Sequence, residues 1–276
     1  MSIQIYKRII VICVLLYVGV ITAFFFLQEK LLFHPLPVIN ENITHLKKNH
    51  PDFQKISFSP VSGIDLHGWF LPRWDDVHKK RMKPLMLYFG GNNEEVSTFF
   101  LFAERMPNWS LISFNYRGYG DSTGHPDLDA FSSDALAIFD HLSGMHESIA
   151  LFGRSLGTGV VTHVAAHRDA TGIILLTPYD SIRSIVQDTL PIFPVGSLLT
   201  NDIDSTTNAV GIVEPTLLIV AELDTIVPIS HAEALQSAGW QGDVTYTLIP
   251  NEDHNTIYVQ EETWQAIQTF ITGILR

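Results

Sequence analysis

The chain has 276 residues, 46% of them hydrophobic, with 17 Lys and Arg against 29 Asp and Glu for a net charge of −12 at pH 7. That length fills one large domain with a sizeable core and leaves little for a second. The acidic balance argues against nucleic acid as a partner, and the lone cysteine, Cys13, rules out an intrachain disulfide and a cysteine-based metal site.

Taken in chain order, the first element is the uncharged stretch Ile9 to Leu27, which as a helix would run roughly 28 Å, about the thickness of a bilayer's hydrocarbon core. Lys7 and Arg8 precede it, which disfavours a buried core helix. Ala23 runs straight into Phe24, Phe25 and Phe26 with no small-x-small cleavage site, which favours an uncleaved anchor over a signal peptide. Beyond the stretch Lys30 is offset by Glu29, so the charge bias places the N-terminus on the cytoplasmic side and the rest of the chain on the non-cytoplasmic side. The polar-basic segment Asn40 to Pro51 reads as a spacer or domain edge.

From Phe53 the pattern becomes regular. Ile64 to Leu71 alternates as an antiparallel strand does, while Leu85 to Phe89, Leu111 to Tyr116, Ile149 to Phe152, Ile173 to Thr177, Leu217 to Ala221 and Val244 to Ile249 are short apolar runs suited to strands buried on both faces. Helical spacing appears between them in Glu94 to Arg105, Asp127 to Leu142, Leu156 to His167, Asp180 to Leu190, His231 to Ser237 and Thr256 to Ile274. Strand and helix in alternation predict a doubly wound, mostly parallel sheet with its chemistry at the carboxyl ends of the strands. The stretch Pro178 to Pro215 leaves room for a small cap such as Leu190 to Leu199.

The strongest motif is Gly153-Arg154-Ser155-Leu156-Gly157, a G-x-S-x-G between an expected strand and an expected helix. A serine in that sharp turn is presented at the sheet edge, and the glycines leave the space the turn requires. A serine hydroxyl is a poor nucleophile unless a base takes its proton and an acid orients the base. Asp224 follows the strand Leu217 to Ala221, and His254 follows the last strand, giving the chain order Ser, Asp, His. Glu222 competes with Asp224 but suits a structural role in its loop, and Asp202 and Asp204 are backup acids. The oxyanion requires preorganised N–H groups: Leu156 offers one, and Phe89-Gly90-Gly91-Asn92 the other, from Asn92 with Gly91 as the alternative. Asn115 to Ser122 lacks the elbow spacing and reads as a loop-shaping element, with Arg117 and Asp121 paired to each other or to the backbone. The histidines are scattered without an H-E-x-x-H pair, so no metal and no cofactor is expected.

With these residues in place the chain resembles the α/β-hydrolase superfamily, and within it the Bem46-like and ABHD-type serine hydrolases, from about Leu31 to the C-terminus. The resemblance includes Leu32-Phe33-His34-Pro35, Phe114 to Gly120, Pro178 to Ile182 and Asp224 to Pro228. Relatives usually carry His-Gly-Asn where this chain has Gly90-Gly91-Asn92. The resemblance implies esterase, thioesterase or peptidase chemistry and transfers mechanism further than substrate.

The expected organisation is a cytoplasmic stub and transmembrane anchor in residues 1–30, a juxtamembrane spacer in 31–52 and an α/β-hydrolase catalytic domain in 53–276. The expected activity is cleavage of an ester or thioester through an acyl-enzyme on Ser155. The rivals are an aminopeptidase-like enzyme of the same fold and a non-catalytic binding member. The partners expected are a small-molecule or lipid-like acyl substrate and the membrane, with no reading of oligomeric state.

Overall fold

A computed structural model describes residues 3–75 and 81–275. Met1 and Ser2 of the expected stub, and residues 76–80 and 276 of the expected catalytic domain, lie outside the described residues. The first helix, α1 (Ile3–Leu32), extends the predicted anchor at both ends and is long and apolar enough to cross a membrane. Most of its side chains are exposed, but Phe24 and Gln28 near its C-terminal end are buried against the rest of the chain.

The expected spacer contains a second helix, α2 (Asn40–Asn49), whose Leu46 is buried. Only Ile43 and Leu46 give it an apolar side, too little for the pattern to stand out in the sequence. Asn42 holds it in place by donating to the hydroxyls of Ser97 and Thr98.

Eight strands form one sheet: β1 (Gln54–Val61), β2 (Ile64–Leu71), β3 (Leu85–Phe89), β4 (Ser110–Phe114), β5 (Ile149–Arg154), β6 (Ile173–Leu176), β7 (Thr216–Ala221) and β8 (Val244–Ile249), in the order β1-β2-β4-β3-β5-β6-β7-β8. The first two are antiparallel, β2 runs antiparallel to β4, and β3 to β8 are parallel to their neighbours. The strand β1 was not anticipated, because as an edge strand it leaves every residue at least partly exposed and carries no apolar run.

The remaining helices are α3 (Ser97–Phe100), α4 (Leu128–Ser143), α5 (Leu156–Ala165), α6 (Ile182–Thr189), α7 (Ser205–Ala209), α8 (Ile229–Gln236) and α9 (Glu261–Gly273). Side-chain alternation along the central strands feeds two cores, one on each face. On β3, for example, Leu85, Leu87 and Phe89 enter one and Met86 and Tyr88 the other.

The helix expected over Glu94 to Arg105 contracts to α3 and a 3-10 turn at Ala103–Arg105. The carboxylates of Glu94 and Glu95 are drawn into the interior instead, where Glu95 accepts from Trp69 Nε1 at 2.9 Å and Asn115 Nδ2 at 3.0 Å. The last predicted helix likewise starts as a 3-10 turn, Thr256–Val259, before α9. Asp253 accepts there from the amides of Asn255 and Thr256. The expected pairing of Arg117 with Asp121 is not formed. Arg117 instead makes a two-pronged bond to Asp134 on α4, both contacts 2.7 Å, and Asp121 takes Lys55. A planar guanidinium fork is better satisfied by a buried carboxylate facing it squarely than by a neighbour on the same turn.

The segment between β6 and β7, residues 177–215, carries α6 and α7. Its expected cap region, Leu190 to Leu199, holds only a 3-10 turn at Gly196–Leu198, and its Val195 and Leu199 bury against Phe24 of α1 and Val186 of α6. The sheet order reverses direction at β3: β4 lies on one side and β5 on the other. A crevice therefore opens at the carboxyl ends of β3 and β5, where an open α/β sheet takes its ligands.

Candidate active site

The turn from β5 into α5 places Ser155 at φ 50° and ψ −118°, a backbone conformation that costs of order 1–3 kcal/mol for a residue with a side chain. The glycines on either side make it possible. A Cβ on Gly153 would stand 2.4 Å from the Gly157 carbonyl oxygen, and one on Gly157 would stand 2.0 Å from that of Phe89. The strand, the turn and the helix can close on one another only where both positions lack a side chain.

The loop after β7 carries Asp224, whose Oδ1 accepts from the amides of Ile226 at 2.9 Å and Val227 at 2.7 Å. That grip leaves Oδ2 to accept from His254 Nδ1 at 2.7 Å. The imidazole, fixed by the carboxylate with its proton on Nδ1, turns Nε2 toward Ser155, whose Oγ–H donates to it over 3.0 Å. The carboxylate and the imidazole are buried. Three side chains from the ends of three strands thus form one continuous relay. The rejected acids lie elsewhere: Glu222 accepts from the Asn251 amide, Asp202 pairs with Arg183, and Asp204 caps α7.

A cavity of about 430 Å³ opens at Ser155, and Leu156 and Asn92 line it beside the hydroxyl. Among the described residues the backbone N–H of each has no protein acceptor, whereas the Gly91 amide donates to Glu94 Oε2 at 2.9 Å. Of the two alternatives in that loop, Asn92 is the amide left open. Its side chain is locked from both ends: Nδ2 donates to the Leu32 carbonyl at 2.6 Å, and Oδ1 accepts from Tyr119 O–H at 2.8 Å and from the His34 amide at 3.2 Å.

Beneath the site lies a group of residues not anticipated as part of it. Arg154, the residue just ahead of the serine, is paired with Glu94 at 3.1 Å and also donates to Asn255 Oδ1 at 3.0 Å beside His254. Glu94 in turn accepts from Tyr88 O–H at 2.8 Å. Burial pulls the Arg154 pKa down, but Glu94 together with Tyr88 and Tyr258 more than offsets it and the net shift is upward, while burial pushes Tyr88 well above its ordinary value. One ion pair therefore ties the serine turn, the loop bearing Gly91 and the histidine loop together. The only sequence signal was a charged residue at each of two spots near glycine turns, and nothing there discloses that the two meet across 60 positions.

No protein-family model matches the chain. It is similar to an uncharacterised protein of Mycobacterium tuberculosis, 28% identical over 255 residues covering 90% of this chain and 87% of that one. It is also similar to an uncharacterised membrane protein of Saccharomyces cerevisiae, 27% identical over 81% of this chain and 84% of the relative. An Arabidopsis thaliana protein described as α/β-hydrolase domain-containing is 26% identical over 92% of this chain and 89% of its own length. Among solved structures, an esterase of Pyrococcus furiosus superposes with a TM-score of 0.69 over 89% of this chain and 98% of its own, at 14% identity.

The chain has the α/β-hydrolase fold.

A membrane phospholipase A described as a bacterial virulence factor shares this α/β-hydrolase fold with a TM-score of 0.65 at 15% identity, covering 98% of this chain and 99% of that one. Ser155, Asp224 and His254 follow β5, β7 and β8 respectively, in the chain order Ser, Asp, His.

Proposed function

We propose that the chain is a membrane-anchored serine hydrolase, of the Bem46-like kind, that cleaves a carboxylic ester or thioester through an acyl-enzyme on Ser155. The observation that carries this reading is the unbroken hydrogen-bond relay from Ser155 Oγ through His254 to Asp224, at 3.0 and 2.7 Å.

In the first half-reaction Ser155 Oγ attacks the acyl carbon while His254 Nε2 takes its proton. Asp224 accepts the hydrogen bond from Nδ1–H and stabilises the imidazolium that results. The carbonyl oxygen, now an anion, is held by the amides of Leu156 and Asn92, a contribution on the order of 3 kcal/mol per donor in enzymes of this type. The bond to the leaving oxygen or sulfur breaks, and His254 hands its proton to it. In the second half-reaction His254 takes a proton from water as the water attacks the acyl-serine. The ester to Ser155 breaks, its oxygen regains the proton, and a carboxylic acid leaves.

In the same reading α1 is a single-pass anchor with the catalytic domain on the non-cytoplasmic side, supported by Lys7 and Arg8 at its leading end. The similarity to a yeast membrane protein and to a membrane phospholipase A supports the anchor and the ester chemistry respectively. The test is labelling of the detergent-solubilised full chain by a fluorophosphonate. The wild type takes up the probe and Ser155→Ala does not. Labelling that persists in the variant removes Ser155 from the role given to it.

A further inference from the structure

The lining of the cavity at Ser155 is contributed in part by the anchor itself. Phe24, Leu31 and Leu32 of α1 line it together with Ile182, Ile185 and Val186 of α6. Polar groups gather at the end where the serine lies, and the remainder is almost wholly aliphatic or aromatic. That is the lining of a site for an apolar chain with one reactive polar end.

The contacts between α1 and the domain are specific. Gln28, although polar, is buried and accepts from the Thr200 amide at 3.2 Å. Tyr17 stacks on Phe193 with ring centroids 5.0 Å apart and donates its hydroxyl to the Ile192 carbonyl at 3.3 Å. The Leu32 carbonyl at the end of α1 is the acceptor for Asn92, whose amide the proposed mechanism uses.

These contacts also set depth. If the uncharged stretch ending at Leu27 fills the hydrocarbon core, Phe24 lies roughly 4.5 Å and Tyr17 roughly 15 Å inside its boundary. The cap residues that touch them lie alongside at membrane level. Their surroundings agree: Ile192 is 79% exposed and, at the mouth of the cavity, Leu31 is 55% and Ile226 54% exposed. Large exposed apolar side chains around a pocket mouth are costly in water and at home in a membrane.

We infer that α1 is a wall of the substrate site as well as a tether, and that the site takes the long acyl chain of a lipid resident in the bilayer, which enters sideways from the membrane. The inference rests on the serine hydrolase reading and specifies its substrate. A chain that passes from the bilayer into the pocket leaves one apolar surrounding for another, so discrimination by length comes from the wall contacts that a longer chain makes, and selectivity for chain length is the property to measure.

The experiment uses the full chain reconstituted in phosphatidylcholine vesicles, with nitrophenyl esters of four and sixteen carbons dissolved in the same vesicles and palmitoyl-coenzyme A supplied from the aqueous side. The sixteen-carbon ester is expected to exceed the four-carbon ester in kcat/KM by about tenfold, through wall contacts that the short chain cannot make, and to exceed palmitoyl-coenzyme A. Leu31→Trp, which fills the mouth, is expected to lower the sixteen-to-four ratio by about tenfold. Phe24→Ala, which removes a wall, is expected to lower it as well, and a second site guards against misfolding of the first. Phe26→Ala, whose side chain is 76% exposed and lines no part of the cavity, leaves the ratio as it is.

Fluorophosphonate labelling of each preparation separates the two claims. Labelled protein that prefers the four-carbon ester or palmitoyl-coenzyme A, or whose ratio is indifferent to both Leu31→Trp and Phe24→Ala, overturns the role of α1 and leaves the hydrolase reading standing. Unlabelled wild type overturns both.

Discussion

Replacing Arg154 by Met keeps the length of the side chain and removes its charge, leaving the Glu94 carboxylate buried without its cation. The side chain of Glu94 is only 3% exposed and that of Arg154 13%, so water cannot take the place of the lost partner. Breaking a buried pair from one side costs about 3–5 kcal/mol, against less than about 1 for a pair on the surface. For a domain of this size that corresponds to a fall in melting temperature of roughly 6–20 °C. Glu94→Gln should be costly for the converse reason, and the double variant should recover at least about 1.5 kcal/mol of the summed losses. Thermal unfolding of the four proteins in one detergent measures the cycle, and the rate of fluorophosphonate labelling measures the effect on the loops that the pair joins. A loss below about 1 kcal/mol in Arg154→Met, or strict additivity in the double variant, would show that the pair is not the brace described.

Asp224→Asn retains an oxygen for the amides of Ile226 and Val227 but offers His254 Nδ1 an NH2 group, so the imidazole is held in the wrong tautomer. A fall in kcat of about 10⁴ with little change in KM is expected in steady-state ester hydrolysis. Gly157→Ala would drive a Cβ to 2.0 Å from the Phe89 carbonyl oxygen. Because backbone must move, circular dichroism melts should show a loss at or above the upper end of the ~1–3 kcal/mol usual for overpacking.

His231, buried between α6 and α8, contacts Asp180 at 2.8 Å and Asp188 at 3.4 Å. The Asp180 bond raises its pKa above the ordinary 6.5, with further upward contributions from Asp188 and Asp224 and burial opposing. A raised folded pKa gives stability that is complete below the unfolded value and is lost as pH rises through the folded one. Melting temperature should therefore decline from about pH 6.5 upward, and His231→Gln should flatten that part of the profile.

The parts of this molecule legible in its sequence are those whose reasons are local. Apolar runs such as Leu85 to Phe89 disclose a strand buried on both faces, and Gly153 and Gly157 bracket Ser155 because the turn between strand and helix is itself local. Asp224 and His254 follow from the order in which strand ends occur. The strand β1 escaped because an edge strand with one wet face needs no apolar run, and α2 because two apolar residues suffice to seat it. Glu94 stood only as the first residue of an expected helix, and only the fold brings Arg154 beneath it. The contribution of Phe24, Leu31 and Leu32 to the cavity is likewise a matter of tertiary placement: in the sequence Phe24 belongs to the uncharged stretch read as an anchor, and Leu31 and Leu32 fall in the segment read as a spacer.

The proposed mechanism requires that Ser155 become acylated in the course of turnover. Mixing the wild type with excess ester, quenching in acid within the first turnovers and measuring the mass of the digested protein tests this directly. One added acyl group is expected, on the peptide that carries Ser155, appearing with the first equivalent of released alcohol and disappearing as substrate is exhausted. Steady hydrolysis with the acyl group on another residue, or undiminished hydrolysis by Ser155→Ala, would contradict it.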